Sequence, residues 1–352
     1  MSATPIPITG RPVRFAVIGC GHIGKRHLEK ISLNPDAQAV AAVDPLPRNQ
    51  TLGELYPHLP YFSSVQELLQ SGIPFDIASV CVPNGLHFDV AQALIEAQKH
   101  LIIEKPMVLQ PEHGTRLEQL AERSGVQIFG VLQNRYSAAS VWLKEVLDKK
   151  LLGQVYTVDL ECAWNRDDRY YLPRVWHGDM RLDGGTLFTQ YSHFMDLLLW
   201  FFGSATVLDA QFANLSHGST IDFEDTGRVL LRLQRCSAPC TLRYSTAVYG
   251  ANRGVRMSIW AQKGCVVLDG PFMNKITHCL IENYTLPEVE TNELGNQYGG
   301  YSGSAQNHHL VIGNVVKALR GEPAQVISSR ESLEVVRLIR DIYRTNPFMQ
   351  QH

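Results

Sequence analysis

Three things are scarce in this chain of 352 residues: long apolar runs, paired cysteines, and an excess of charge of either sign. The most apolar stretch, residues 194–202, falls far short of the roughly 20 residues a helix needs to cross a bilayer, and it carries Asp196, so no membrane span is expected. Residues 1–11 are rich in Pro and Thr without the apolar core of a signal peptide, and read as a loose tail. The seven cysteines, Cys20, Cys81, Cys162, Cys236, Cys240, Cys265 and Cys279, are odd in number and scattered, which argues for reduced thiols and a cytoplasmic location. Cys236 and Cys240 have no second pair or histidine cluster beside them, so no metal is expected. With 32 basic and 34 acidic side chains, nothing supplies the broad positive surface that nucleic acid or anionic lipid requires. Internal repeats and low-complexity tracts are also missing.

What is present is the balance of an ordinary globular protein, 45% hydrophobic and 19% charged, in a chain long enough for two cores. Up to about residue 131, short apolar runs alternate with amphipathic segments: strands at 14–18, 39–43, 77–82, 101–104 and 126–131, helices at 23–33, 65–71, 89–98 and 111–124. That is βαβ repeated, the pattern of a doubly wound parallel sheet. Beyond Leu152 the texture changes to β-type runs at 154–162, 206–212, 227–233, 241–249, 256–260 and 265–268. Strands joined by turns predict an α+β domain with a large, mostly antiparallel open sheet. The expected domains are 1–133 and 134–352, with helices at 308–320 and 332–343 closing the chain.

The motif Gly19-Cys20-Gly21-His22-Ile23-Gly24 follows a predicted strand and opens a predicted helix, which raises a weak pattern to a strong one. The first glycine permits the turn, the second lets a pyrophosphate approach the backbone, the third lets helix and strand pack closely, and the helix amino terminus faces the phosphates. Asp44 stands at the end of the next strand, where a carboxylate accepts from the adenosine ribose hydroxyls and repels a 2′-phosphate. NAD is therefore favoured over NADP, with Arg48 close enough to blunt the preference.

Cys81-Val82-Pro83-Asn84 with His87, then Glu104-Lys105-Pro106, then Asp183-Gly184-Gly185 leading to His193 and Asp196, resemble the glucose-fructose oxidoreductase, inositol dehydrogenase and rhizopine-catabolism (Gfo/Idh/MocA) family over about residues 14–343. The resemblance implies an NAD-dependent oxidoreductase of sugar-type substrates, with Pro83, Asn84, His87, Glu104 and Lys105 at the cofactor. It implies that Lys105 binds the hydroxyl being oxidised and stabilises charge developing on its oxygen, and that His193 takes the proton as hydride leaves carbon. Many members carry an aspartate four residues before this histidine; here that position is Thr189. Asp196, three residues after His193 and on the same face if the segment is helical, stands near the histidine and reads equally as a structural cap or salt bridge.

Tyr171, Trp176, His177, Gly178 and Asp179 before the Asp-Gly-Gly, with Gln133-Asn134-Arg135-Tyr136, look like the branch that oxidises C3 of UDP-linked N-acetylated sugars. In that branch the keto sugar feeds an aminotransferase, giving 3-amino sugars for lipopolysaccharide or lipid A. Arg135, Arg166, Arg169, Arg174 and Arg181 are candidate diphosphate partners, since guanidinium pairs with phosphate oxygens. Tyr298, Tyr301, Asn307 and His308 read as a loop covering the sugar or uracil, or as a plain turn before a helix. UDP-N-acetylglucosamine is the first expectation, with Gln133, Arg135, Tyr136, Arg166, Trp176, Thr189, His193 and Tyr301 about it, and its 6-carboxylate is the second. The resemblance further implies a homo-oligomer and, in some relatives, reoxidation of bound NADH by a 2-oxoacid. A free-sugar or inositol dehydrogenase and a silent NAD-responsive binding protein are the competing readings.

Overall fold

The computed structural model describes residues 7–172, 176–290, 295–297 and 302–350. Two compact units emerge, Met1–Leu132 with His308–Val336, and Gln133–Asn307 with Arg337–His352. The first unit runs β1 (Val13–Ile18), α1 (His22–Ser32), β2 (Ala37–Val43), β3 (Tyr61–Phe62), α2 (Val65–Gln70), β4 (Ile77–Val80), α3 (His87–Glu96), β5 (His100–Ile103), α4 (Pro111–Ser124) and β6 (Ile128–Gly130). Its strands form one parallel sheet in the order β3-β2-β1-β4-β5-β6, so the winding reverses between β1 and β4. In such a sheet the crevice beyond the carboxyl ends of those two strands is the natural ligand position. Both faces are covered, so β1 and β4 are buried apolar runs (Phe15 to Ile18, and Ile77, Ala78 and Val80) rather than alternating ones. Helix α4, at the expected 111–124, has Pro111 in its first turn and a left-handed Gly125 just past its end. The two-residue edge strand β3 was not expected, because two residues carry no periodicity.

The second unit holds α5 (Ala138–Asp148), β7 (Val155–Ala163), α6 (Asp168–Tyr171), α7 (Met180–Asp183), α8 (Ser192–Phe202), β8 (Ala205–Ala213), β9 (Thr226–Leu233), β10 (Pro239–Ser245), β11 (Gly254–Ala261), β12 (Gly264–Asp269), β13 (Lys275–Ile281), and the small pair β14 (Gly295–Gln297) and β15 (Ser302–Ala305). Seven strands form a mixed sheet, β13-β12-β11-β7-β10-β9-β8, antiparallel except where β10 lies parallel to β7. Strand β9 shows the one-sided pattern clearly: Val229, Leu231 and Leu233 are buried while Arg228, Leu230 and Arg232 face out. Strand β13 went unforeseen, its Thr277, His278 and Cys279 diluting the apolar signal. The apolar stretch 194–202 proves to be most of α8, buried on nearly every side, as a helix without a polar face must be.

Two late helices follow, α9 (His308–Leu319) and α10 (Ser329–Tyr343). Helix α9 packs on α1 within the first unit. Helix α10 starts three residues before the expected 332, because Ser328 and Glu331 form a reciprocal cap, the Ser328 hydroxyl accepting from the Glu331 N–H at 3.3 Å and the Glu331 carboxylate accepting from the Ser328 N–H at 3.0 Å.

Candidate active site

The glycine motif lies where β1 turns into α1. Gly19 has φ +91° and a side chain there would meet the Cys81 carbonyl oxygen at 2.6 Å; a side chain on Gly24 would meet the Gly19 carbonyl oxygen at 1.8 Å. Those two glycines are demanded by the turn and by helix–strand contact. Gly21 is different: nothing lies within 4 Å of its added Cβ, and it caps α1 without a side-chain hydrogen bond. The first N–H groups of α1, beside exposed His22 and half-buried Ile23, therefore lie where a phosphate can approach the backbone. Asp44 follows β2, its carboxylate accepting from Cys20 N at 2.7 Å and Leu46 N at 3.0 Å, which fixes it beside the glycine turn. The residues fit a dinucleotide. Arg48 is engaged elsewhere, since its guanidinium donates to the carbonyls of Leu59 at 2.9 Å, Leu55 at 3.0 Å and Tyr56, and so closes its own loop.

Pro83 and Asn84 begin a 3-10 turn after β4, with Asn84 buried. His87 is wholly enclosed, one ring nitrogen 2.7 Å from the Pro106 carbonyl and the other 2.9 Å from that of Val82. Glu104 is buried as well, and its oxygens accept from His27, His308 and the Lys105 N–H. Lys105 between them is half-buried. Among the described residues His27, Glu104 and His308 also form the one convergent group of metal-type donors. The reading of His308 as part of a sugar-covering loop is corrected here: it is the buried first residue of α9, in the first unit, bonded to Glu104. Asn307 is likewise buried, its N–H held by the Gln133 side chain at 2.8 Å, because a loop that re-enters a core must satisfy its backbone. Tyr301, with Tyr298 and Arg174, lies outside the described residues.

In the second unit the Asp183-Gly184-Gly185 turn leads through a single π-helical stretch, Leu187–Tyr191, into α8, where His193 is the second residue and buried. π-turns of this kind are frequent at functional sites. Thr189, on the π-turn, donates its hydroxyl to the Asp183 carboxylate. Asp183 also accepts from Gly178 N at 3.1 Å and lies 3.6 Å from His177 Nδ1. The Trp176 ring packs tilted against His177 with centroids 3.7 Å apart, and the Tyr170 ring lies 4.3 Å from the same imidazole.

The arginines are not gathered into one cluster by their visible partners. Arg135, on the turn Gln133–Tyr136 that also carries half-buried Tyr136, is bound in bidentate fashion to Asp196, Nε to Oδ2 at 2.9 Å and Nη2 to Oδ1 at 2.6 Å. Asp196 is thereby a salt-bridge partner. Arg166 is only 2% exposed, donating to Gln190 at 2.7 Å and lying over the Trp164 and Tyr170 rings. Arg169 and Arg181 pair with Asp167 and Asp179, two residues away, on the surface. Sequence reasoning missed Glu224, a fully buried carboxylate that accepts from Tyr244 at 3.1 Å, Tyr343 at 2.5 Å and Asn346 at 3.0 Å. Its only local signal was an acidic pair, Glu224-Asp225, immediately after Phe223.

Two family models match the chain: one described as oxidoreductase family, NAD-binding Rossmann fold, over residues 13–131, and one described as GFO/IDH/MocA C-terminal domain, over residues 141–267. The WlbA dehydrogenase from Bordetella pertussis, solved in complex with NADH and UDP-GlcNAcA, is 30% identical and superposes with a TM-score of 0.85 over 95% of this chain and 96% of its own. The WlbA dehydrogenase from Chromobacterium violaceum, also solved with NADH and UDP-GlcNAcA, is 28% identical with a TM-score of 0.85 over 98% and 96%. The D-glucoside 3-dehydrogenase of Escherichia coli is 29% identical over 151 residues, 42% of this chain and 43% of that protein. The first unit is an NAD-binding Rossmann domain.

Proposed function

Because the chain belongs to the GFO/IDH/MocA oxidoreductase family, we propose that it oxidises the C3 hydroxyl of a UDP-linked N-acetylated sugar with NAD. The observation that carries this reading is end-to-end similarity, at 30% identity, to a dehydrogenase crystallised with NADH and UDP-GlcNAcA. That ligand moves the 6-carboxylated sugar ahead of neutral UDP-N-acetylglucosamine as the substrate. In the cell the 3-keto product serves an aminotransferase, and the protein works as a cytoplasmic homo-oligomer.

Bound NAD supplies the hydride acceptor. Lys105, standing just beyond β5, presents an ammonium that orients the C3 hydroxyl and stabilises negative charge as the proton leaves. His193 accepts that proton as a general base. Gly19, Gly21, Gly24 and Asp44 hold the dinucleotide. Gln133, Arg135, Tyr136, Arg166, Trp176 and Thr189 shape the sugar side, with Tyr301 as a further candidate, and Arg166 is the strongest candidate for the diphosphate because its charge is already buried at a structural expense.

The test is absorbance at 340 nm with near-stoichiometric enzyme, NAD, and in parallel UDP-GlcNAcA, UDP-N-acetylglucosamine and free N-acetylglucosamine, each with and without 2-oxoglutarate. NADH formation with a UDP-sugar and none with the free sugar is expected, and Lys105→Met is expected to abolish it while leaving NAD affinity within about threefold. Turnover of free sugar at a comparable rate, or retained turnover in Lys105→Met, rejects the reading.

A further inference from the structure

Glu104 is enclosed in the first unit, and three donors satisfy it: His27 Nε2 at 3.0 Å and His308 Nε2 at 3.2 Å share Oε1, while the Lys105 backbone N–H reaches Oε2 at 3.1 Å. The two histidines come from far apart, His27 from the middle of α1 and His308 from the start of α9, 204 residues beyond Glu104, while Lys105 is its chain neighbour just beyond β5. Burial alone pushes the Glu104 carboxyl up; the bonds from His27 and His308 outweigh it and hold it well below the usual carboxylate range. An ionised carboxylate only accepts, so both histidines carry their proton on Nε2. An enclosed charge is a burden that apolar residues of like volume would not impose. The arrangement is therefore poorly explained as a stabilising device.

Its geometry has another consequence. The carboxylate grips the peptide nitrogen of Lys105, while His87 grips the Pro106 carbonyl at 2.7 Å, so the backbone is held on both sides of the residue that presents the ammonium. We infer that His308 and His27 are positioning residues for Lys105, acting through the Glu104 carboxylate to fix the peptide from which the lysine side chain springs. The inference rests on the proposed catalytic role of Lys105. A misplacement of about 1 Å at a reacting group can reduce turnover by a factor of roughly 100, so a clamp at this peptide has leverage that its contribution to stability lacks.

The test uses the full-length enzyme and the variants His308→Ala, His308→Gln, Glu104→Gln and Glu104→Gln/His308→Ala. Turnover with saturating NAD and nucleotide sugar is compared with NADH affinity by fluorescence, and with the rate at which acetic anhydride modifies Lys105, mapped by peptide mass. Expected for His308→Ala are a kcat lower by roughly 10- to 100-fold, KM and NADH Kd within about threefold, and a Lys105 acylation rate changed at least about threefold relative to other lysines. His308→Gln, whose amide N–H can reach the same oxygen, regains most of the kcat. The double variant is no slower than Glu104→Gln alone, since both act through one carboxylate. A kcat within about twofold in His308→Ala, or losses that multiply in the double variant, overturns the inference. Should His308→Ala not fold, His308→Leu takes its place with the same expected outcomes. Silence of the unmutated enzyme with every sugar would reject the proposed substrate but leave the acylation arm decisive; turnover surviving in Lys105→Met would reject the lysine's role while the acylation result still reports on the clamp.

Discussion

The hydroxyl of Thr189 donates to the carboxylate of Asp183, so this π-turn residue is bonded to an acid six positions earlier. Both side chains are buried. Thr189→Val should destabilise the protein by about 1–3 kcal/mol, the cost of removing a donor from a buried carboxylate, read by urea denaturation. Thr189→Asp should lose activity rather than gain it, because it sets a second carboxylate against Asp183. Wild-type stability in the first variant, or improved turnover in the second, contradicts this account.

Glu224 gives a pH signature. Burial drives its carboxyl from 4.5 up to about 7, against the hydrogen bonds from Tyr343, Asn346 and Tyr244 that lower it. Between those values the folded chain holds a proton that the unfolded chain has released, so this contribution to stability is full below pH 4.5 and fades as pH rises through about 7. The change amounts to about 3 kcal/mol at most. His87, His100 and His308, pushed down chiefly by burial, act in the opposite sense as pH falls, so the quantity to measure is the difference between wild type and Glu224→Gln from pH 4.5 to 7. That difference should slope; a flat one would remove Glu224 from the account.

Gly21 and Gly24 should part company. Gly24→Ala places a methyl 1.8 Å from the Gly19 carbonyl oxygen and must disturb the fold, lowering the melting temperature by several degrees. Gly21→Ala meets open space at φ −69°, so thermal stability should stay unchanged while NAD binding weakens about tenfold or more, measured by calorimetry. Equal NAD affinity in Gly21→Ala would mean the dinucleotide does not approach there.

Asp44→Ser should raise kcat/KM for NADP relative to NAD by about tenfold or more, since it removes the charge that repels a 2′-phosphate. Arg48 is already held by three loop carbonyls, so Arg48→Ala should loosen that loop without shifting the preference. Steady-state kinetics with both nucleotides decides both points.

The parallel half of the fold was legible because its signals are local. Strand and helix periods and the spacing of Gly19, Gly21, Gly24 and Asp44 each lie within a short window. Elements with weak or brief local signals escaped: β3 has two residues, and β13 interrupts its apolar residues with Thr277, His278 and Cys279. The arginines illustrate the limit of counting charge. Arg135 and Arg169 look alike in the sequence, yet one is tied to a buried Asp196 and the other to a surface neighbour.

The amino-acid order by itself determined the βαβ alternation of residues 13–130 and the glycine turn, because backbone conformation follows from residues a few places apart. Only the tertiary structure decided which polar groups share a partner. Glu104 with His308, Arg135 with Asp196, and Tyr343 with Glu224 are 204, 61 and 119 residues apart. No periodicity spans such distances; a buried charge finds its partner only when packing excludes water, and the least costly pairing is then set by which elements meet.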